Sequence, residues 1–90
     1  MATDHDLSLL LAALADPTRR RLVERIAETE PLATHELTAI IPLTRWAVMK
    51  HLAVLRAAGI VQTLPQGRRR LHYLDRRRLA AGREWLEGLT

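Results

Sequence analysis

The basic side chains of this 90-residue chain are unevenly distributed along it. Nine of them lie between residues 44 and 78, where Asp75 is the one acidic residue, whereas the rest of the chain carries five basic and nine acidic side chains. Guanidinium and ammonium groups donate hydrogen bonds to phosphate oxygens and to guanine edges, so such a segment is typical of proteins that bind nucleic acid. The alternative is that the arginine runs are only solvated surface.

The segment from Thr44 to Ala57 is predicted to form a helix with two different faces. Val48, Leu52 and Leu55 recur at helical spacing, which indicates a buried stripe, and Thr44 is suited to cap the first turn. The opposite face and its flanks contain no carboxylate and present Arg45, Trp46, Met49, Lys50 and Arg56. A helix of this kind suits the major groove of double-stranded DNA. Trp46 has two interpretations: it contacts thymine methyl groups, or it packs on a neighbouring helix.

Three further arginine runs require placement. Arg68, Arg69 and Arg70 follow the predicted turn of a hairpin, where they are expected to contact the DNA backbone. Arg19, Arg20 and Arg21 lie in the first turns of the second helix, where we expect at least one of them to face the duplex, and Arg19 is the one that we assign to DNA. The run from Arg76 to Arg78 is expected to be solvated or to pair with a second subunit.

The elements that must position these residues follow from periodicity and from helix start and stop signals. Asp16-Pro17 is a helix start, and Pro42 prevents a third helix from continuing. The predicted helices span Leu7–Ala15, Pro17–Glu28, Ala33–Ala39, Thr44–Ala57 and Arg76–Gly88, and the predicted strands span Ile60–Leu64 and Arg68–Leu74. Ile40 is expected to be buried with Leu37. The whole chain, residues 1–90, is then a single domain of mainly α (α+β) class. Its order is four helices, two strands and a final helix, which is a winged helix-turn-helix.

Apolar stripes on the first and last predicted helices form a second candidate site. The two stripes consist of Leu7, Leu10, Leu11 and Leu14, and of Leu79, Trp85, Leu86 and Leu89. Each stripe belongs either to the core of one chain or to a dimer interface. We favour a homodimer, because one short chain has too few elements to cover both terminal helices. A two-fold interface would also set two recognition helices about 34 Å apart, the spacing of successive major grooves.

Several motifs of this chain, in the order in which they occur, resemble those of the ArsR family of bacterial transcriptional regulators. The resemblance runs from about Leu7 to Trp85 and rests on the segments Ala13–Arg19, Thr44–Leu52 with Val54-Leu55, Ala58–Val61, Gly67-Arg68 and Leu71–Leu74. It implies a homodimeric, repressor-type DNA-binding protein paired through its first and last helices. The thiolate metal site of the family falls at Ala33 and His35, so its cysteines are absent here.

Other functions find less support in the sequence. The chain has no cysteine, and its histidines (His5, His35, His51 and His72) are scattered, whereas zinc sites need three or four ligands. We therefore expect no metal and no cofactor, and a metal-responsive repressor is a minor alternative. Without a nucleophile–base pair or a Gly-rich phosphate loop, the chain is not expected to be an enzyme. A protein–protein interaction module is the main alternative. With no leader or membrane-spanning run evident, we expect a cytoplasmic protein.

Overall fold

The computed structural model describes residues 2–90 and contains five helices and a three-stranded sheet within that range; Met1 lies outside it. The elements are α1 (Asp4–Leu14), α2 (Pro17–Thr29), β1 (Leu32–Ala33), α3 (Thr34–Ile40), α4 (Arg45–Ala57), β2 (Val61–Gln66), β3 (Arg69–Leu74) and α5 (Arg76–Glu87). This arrangement confirms the predicted mainly helical winged helix-turn-helix. No helix among residues 2–90 is long and apolar enough to cross a membrane.

Four of the five helices are preceded by a residue whose side chain caps the first turn. Asp16, Thr44 and Asp75 accept hydrogen bonds from the first-turn amides of α2, α4 and α5, as the sequence indicates for Asp16 and Thr44. The start of α1 differs from the prediction, because the helix begins at Asp4 rather than near Leu7. Thr3 caps it and exchanges hydrogen bonds with Asp6, so the two acidic residues lie inside the first turn, where they favour the helix dipole.

The sheet contains one strand more than predicted. Leu32 and Ala33 form β1, which pairs antiparallel with β3, so the strand order is β1–β3–β2. The third helix begins at Thr34, one residue after the predicted start at about Ala33, because Leu32 and Ala33 form this strand, which is too short to show any periodicity. The hairpin of β2 and β3, called the wing below, is also longer than predicted. Pro65 and Gln66 continue β2, and the chain reverses at Gly67, whose φ of +61° favours glycine.

The core lies between α1, α2, α3 and α4 and is closed by the base of the wing. Its largest fully buried side chains include Leu22, Ile26, Leu37 and Ile60, together with the predicted stripe of α4. Ile41 is buried and Ile40 is exposed, which reverses our expectation, since α3 ends at Ile40 and the chain then turns inward at Ile41. Leu10 is also in this core, with 1% of its surface exposed, and packs against Gly82 of α5.

His72 is a polar residue within the buried base of the wing. Its ring lies between two hydroxyl groups, with Nε2 2.8 Å from Oγ1 of Thr34 and Nδ1 2.9 Å from Oγ1 of Thr63. A neutral imidazole has one donor and one acceptor nitrogen, and hydroxyl groups satisfy both in either tautomer. Burial of the ring, with Arg56 and Arg70 adding positive charge nearby, lowers the pKa of His72 to about 4. The ring therefore joins the start of α3 to both strands of the wing.

Candidate nucleic-acid interface

The helix α4 presents the two faces that the sequence predicts. Val48, Leu52 and Leu55 are buried in the core, and the hydroxyl of Thr44 accepts a hydrogen bond from the amide of Ala47 at 3.1 Å. The outward side contains no acidic residue and leaves its predicted members exposed: Arg45, Trp46, Met49, Lys50 and Arg56. Burial of the inner stripe fixes the orientation of the helix, so this outer face is held toward solvent.

Trp46 lies on the outer surface of α4 rather than against another helix. It is 70% exposed, and Met49, one turn later, is 46% exposed. The proposal that Trp46 packs on a neighbouring helix is therefore wrong for this structure. Burial of a large apolar side chain stabilises a protein by on the order of 2 kcal/mol, and an exposed Trp46 does not contribute this stabilisation. The ammonium of Lys50 lies 4.7 Å from the centre of the indole ring, which is a cation–π contact between positions i and i+4.

A small basic cleft separates the start of α4 from the wing. Its volume is about 150 Å³, and it is lined by Thr34, His35, Arg45, Arg68, Arg69 and Arg70. Arg69 forms an ion pair with Glu36 at 3.0 Å, whereas Arg68 and Arg70 form none with any residue in the range 2–90. An anion could be held here by several guanidinium groups at once. Thr34 and His35 were not predicted at this site, because only the pairing of β1 with β3 brings them to it.

Arg19 does not belong to this surface. Its Nε donates to the carbonyl oxygen of Ala13 at 2.6 Å and its Nη2 to that of Ala12 at 3.2 Å, and Arg20 donates to the carbonyl oxygen of Leu14 at 2.6 Å. These carbonyls lie in the last turn of α1, where partners within the helix run out; the carbonyl of Ala12 also accepts a hydrogen bond from the amide of Ala15. The expectation that Arg19 contacts DNA is corrected, since its guanidinium is occupied by α1 and its side chain is only 18% exposed.

The arginines at the start of α5 are paired within the chain. Arg76 forms an ion pair with Glu30, and Arg78 forms one with Asp6 at 2.9 Å. The hydrogen bond from the Thr3 amide, helped by Arg78, lowers the pKa of Asp6 to about 2. The hydrogen bond from the Leu74 amide, followed by Arg76, lowers the pKa of Glu30. Arg76 and Arg77 are exposed to solvent as expected, although Arg76 also pairs with Glu30, whereas Arg78 is partly buried and pairs with Asp6 of its own chain, which the sequence did not predict.

The helices α1 and α5 contact one another, and both leave apolar side chains exposed to solvent. Leu11, Trp85, Leu86 and Leu89 are exposed, whereas Leu7, Leu14 and Leu79 are partly buried against the core. The prediction that Leu10 belongs to the dimer interface is wrong, because its side chain is buried in the core of its own chain. The remaining side chains lie on α1, α5 and the residues that follow α5, far along the chain from the basic face of α4.

Within residues 2–90 no group of three His, Cys, Asp or Glu side chains is placed to hold a metal ion. The thiolate position of the family contains Ala33, which is fully buried, and His35, which lines the basic cleft. His72 is committed to Thr34 and Thr63.

Comparison with known proteins shows which family has this geometry. A family model described as a helix-turn-helix domain matches residues 14–63, more than half of the chain. The chain is 47% identical over 83 residues to the HTH-type transcriptional regulator Rv2034 of Mycobacterium tuberculosis, covering 87% of this chain and 77% of the relative. It is 35% identical over 68 residues to the HTH-type regulator YuzN of Bacillus subtilis, covering 69% of this chain and 74% of the relative.

Comparison with solved structures gives the same result as comparison with these relatives. The crystal structure of the ArsR family transcriptional regulator RHA00566 superposes with a TM-score of 0.87 at 30% identity, covering 98% of this chain and 90% of the other. HlyU from Vibrio cholerae superposes with a TM-score of 0.77 at 28% identity, covering 96% and 92%. The resemblance noted in the motifs therefore extends to the whole fold. The chain belongs to the ArsR family of helix-turn-helix transcriptional regulators, which bind DNA and are not enzymes.

Proposed function

We propose that residues 1–90 act as one domain of a homodimeric repressor that binds an inverted-repeat operator. The observation that carries this proposal is the exposed, carboxylate-free side of α4 next to Arg68 and Arg70 of the wing, which form no ion pair with any of residues 2–90. In each subunit α4 enters the major groove and the wing lies along the backbone. The proposed DNA contacts are Thr44, Arg45, Trp46, Met49, Lys50, Arg56, Arg68, Arg69 and Arg70. Arg69 exchanges Glu36 for phosphate when it binds.

The second subunit is proposed to cover the apolar surface of α1 and α5. Leu86 and Leu89 are more than half exposed, and Leu11 and Trp85 lie on the same two helices. A monomer would leave this surface in water, whereas a two-fold pairing would bury it and present two copies of α4 to successive grooves. The proposed interface consists of Leu7, Leu11, Leu14, Leu79, Trp85, Leu86 and Leu89.

A footprint on the DNA upstream of the protein's own gene tests the DNA-binding part. We expect protection of an inverted repeat whose half-sites are about one helical turn apart. Gel-shift titrations at several salt concentrations should show a steep loss of affinity, because each phosphate contact contributes about −0.9 to the slope of log affinity against log salt. Shallow, sequence-independent binding would contradict the proposal and would favour a protein-interaction module that docks through Trp46 and Met49. For repression, a reporter under this promoter should be more active when the protein is absent.

The substitution Leu86→Asp tests the dimer. It places a charge in the proposed interface, so we expect a monomer in sedimentation velocity and loss of tight operator binding. Leu64→Asp is a matched control, because Leu64 is 55% exposed and Leu86 is 54% exposed, but Leu64 lies on β2. The control should remain dimeric. A Leu86→Asp protein that is still a dimer would show that the interface lies elsewhere.

A further inference from the structure

We propose that Trp46 and Met49 recognise the 5-methyl group of a thymine in the operator, and that Trp46 positions Lys50 to contact a neighbouring guanine. This inference rests on the proposed function and adds the base chemistry that would give it sequence specificity. It assigns to Trp46 the role of a specificity-determining residue rather than that of a backbone contact.

The first observation is the exposure of two apolar side chains in the first half of the recognition helix. Trp46 is 70% exposed and Met49 is 46% exposed, and both lie outside the buried stripe of α4. The thymine methyl is the apolar group that DNA presents on the floor of the major groove. An apolar pair at the start of the helix, where base edges are contacted, therefore has a matching ligand.

The second observation is the contact between Lys50 and the indole ring. The ammonium lies 4.7 Å from the ring centre, so one face of Trp46 holds the cation while the rest of the ring stays open. A lysine side chain loses much rotational freedom when it binds, and a ring that already restrains it reduces that loss. The ammonium can then donate to N7 of guanine.

The spacing of the two residues predicts how the two bases are arranged. Trp46 and Lys50 are four positions apart, about one helical turn or roughly 5–6 Å along the axis of α4. Base pairs are about 3.4 Å apart, so the thymine and the guanine should lie one or two base steps from one another.

The charges around Trp46 favour DNA over a protein as the ligand of this surface. Arg45 and Arg56 are exposed on one flank of the same helix, and the outer side of α4 carries no carboxylate. A docking protein would have to neutralise these cations with its own acidic groups, whereas DNA supplies phosphates along both edges of the groove. A protein ligand is kept as an outcome of the test.

The test replaces thymines by deoxyuridine one at a time in one half-site of the footprinted operator. Deoxyuridine keeps every base-pairing atom and removes only the methyl group. By fluorescence anisotropy at fixed salt, one or two positions should lose affinity by about fourfold, the value of one buried methyl group. Trp46→Ala should bind both versions of those positions equally, and Trp46→Phe should restore part of the discrimination.

The lysine part is tested with 7-deazaguanine, which removes the N7 acceptor. At a guanine one or two steps from the sensitive thymine, the analogue should weaken wild-type binding by about tenfold and leave Lys50→Met unaffected. Arg83→Gln is the control for the lost charge, because Arg83 is an exposed residue of α5 outside both proposed surfaces. The control should respond to both analogues as the wild type does. Thermal melting of each variant verifies that it is folded.

The outcomes separate this inference from the proposed function. If the wild type protects a specific operator but binds every deoxyuridine version as tightly as the thymine version, methyl recognition is wrong and the repressor proposal stands. If Trp46→Ala retains the full methyl discrimination, the role of Trp46 is wrong. If no specific site is protected at all, the proposed function fails, and a protein ligand for Trp46 and Met49 takes its place.

Discussion

The arginine triplet that begins α2 and the triplet at the tip of the wing have the same sequence and opposite surroundings. In the α2 triplet, Arg19 and Arg20 donate to the three carbonyl groups that end α1. In the wing triplet, Arg69 pairs with Glu36 on the protein surface, and Arg68 and Arg70 form no ion pair with residues 2–90. The third triplet, at the start of α5, is intermediate, because carboxylates hold Arg76 and Arg78.

The difference shows that the acceptors within reach, and not the arginines themselves, decide what each triplet does. The end of a helix leaves carbonyl oxygens without partners, and the chain between α1 and α2 is so short that Arg19 can reach them. The wing extends away from the other elements, so its guanidinium groups find few acceptors inside the molecule. Arg19 and Arg20 of α2 thus stabilise the fold, whereas the arginines of the wing are available for a ligand.

The largest effect is expected from removing the wing charges. In a dimer with two phosphate contacts per wing, the variant with Arg68, Arg69 and Arg70 all changed to Gln loses about four contacts. Its slope of log affinity against log salt should become less steep by about 3.6, and its affinity at physiological salt should fall by about a thousandfold. Gel-shift titrations at several salt concentrations measure both values.

The control for the wing variant changes the α5 triplet, Arg76–Arg78, to Gln. It removes the same formal charge, but from residues outside the proposed DNA contacts. Its salt slope should stay at the wild-type value. An equal loss of slope in both variants would mean that net charge, rather than the position of the wing, controls affinity.

Burial of His72 at the base of the wing, reinforced by the positive charges of Arg56 and Arg70, predicts a pH dependence of stability. Well above pH 6.5 the ring is neutral in both states. As the pH falls through 6.5 toward 4, the unfolded chain takes up a proton that the folded chain does not. The free energy of unfolding should therefore decrease by about 3 kcal/mol across this interval. Urea unfolding of wild type and His72→Gln at a series of pH values measures the difference. Equal pH slopes in the two proteins would contradict the assignment.

A smaller effect is expected at the start of α2. Arg19→Gln removes charged hydrogen bonds to the end of α1, so the free energy of unfolding should decrease by about 2 kcal/mol with little change in operator affinity. Arg21→Gln is the matched control from the same triplet, because Arg21 is exposed and should change stability by less than about 0.5 kcal/mol. Chemical denaturation measures both variants. If Arg19→Gln reduces the free energy of operator binding by more than it reduces the free energy of unfolding, the comparison of the two triplets is wrong.

Much of the fold was predictable because its signals are local. The Asp16-Pro17 start, the Thr44 cap and the buried stripe of α4 depend on residues a few positions apart, and the structure confirms them. The start of α1 was missed because acidic residues fit equally well before a helix and in its first turn. The strand β1 was missed because two residues have no period, and only its partner in β3 makes it a strand.

The basic face of α4 was determined by the sequence alone, since helical spacing separates apolar from cationic side chains before any tertiary contact forms. Only the tertiary structure decided three other features. These are the exposure of Trp46, the burial of Leu10 and His72, and the different partners of the three arginine triplets. Each of these depends on groups distant in sequence, such as Gly82 beside Leu10 or Thr34 beside His72. Helix periodicity gives the direction of a side chain relative to its own helix axis, but packing decides which atoms lie in that direction.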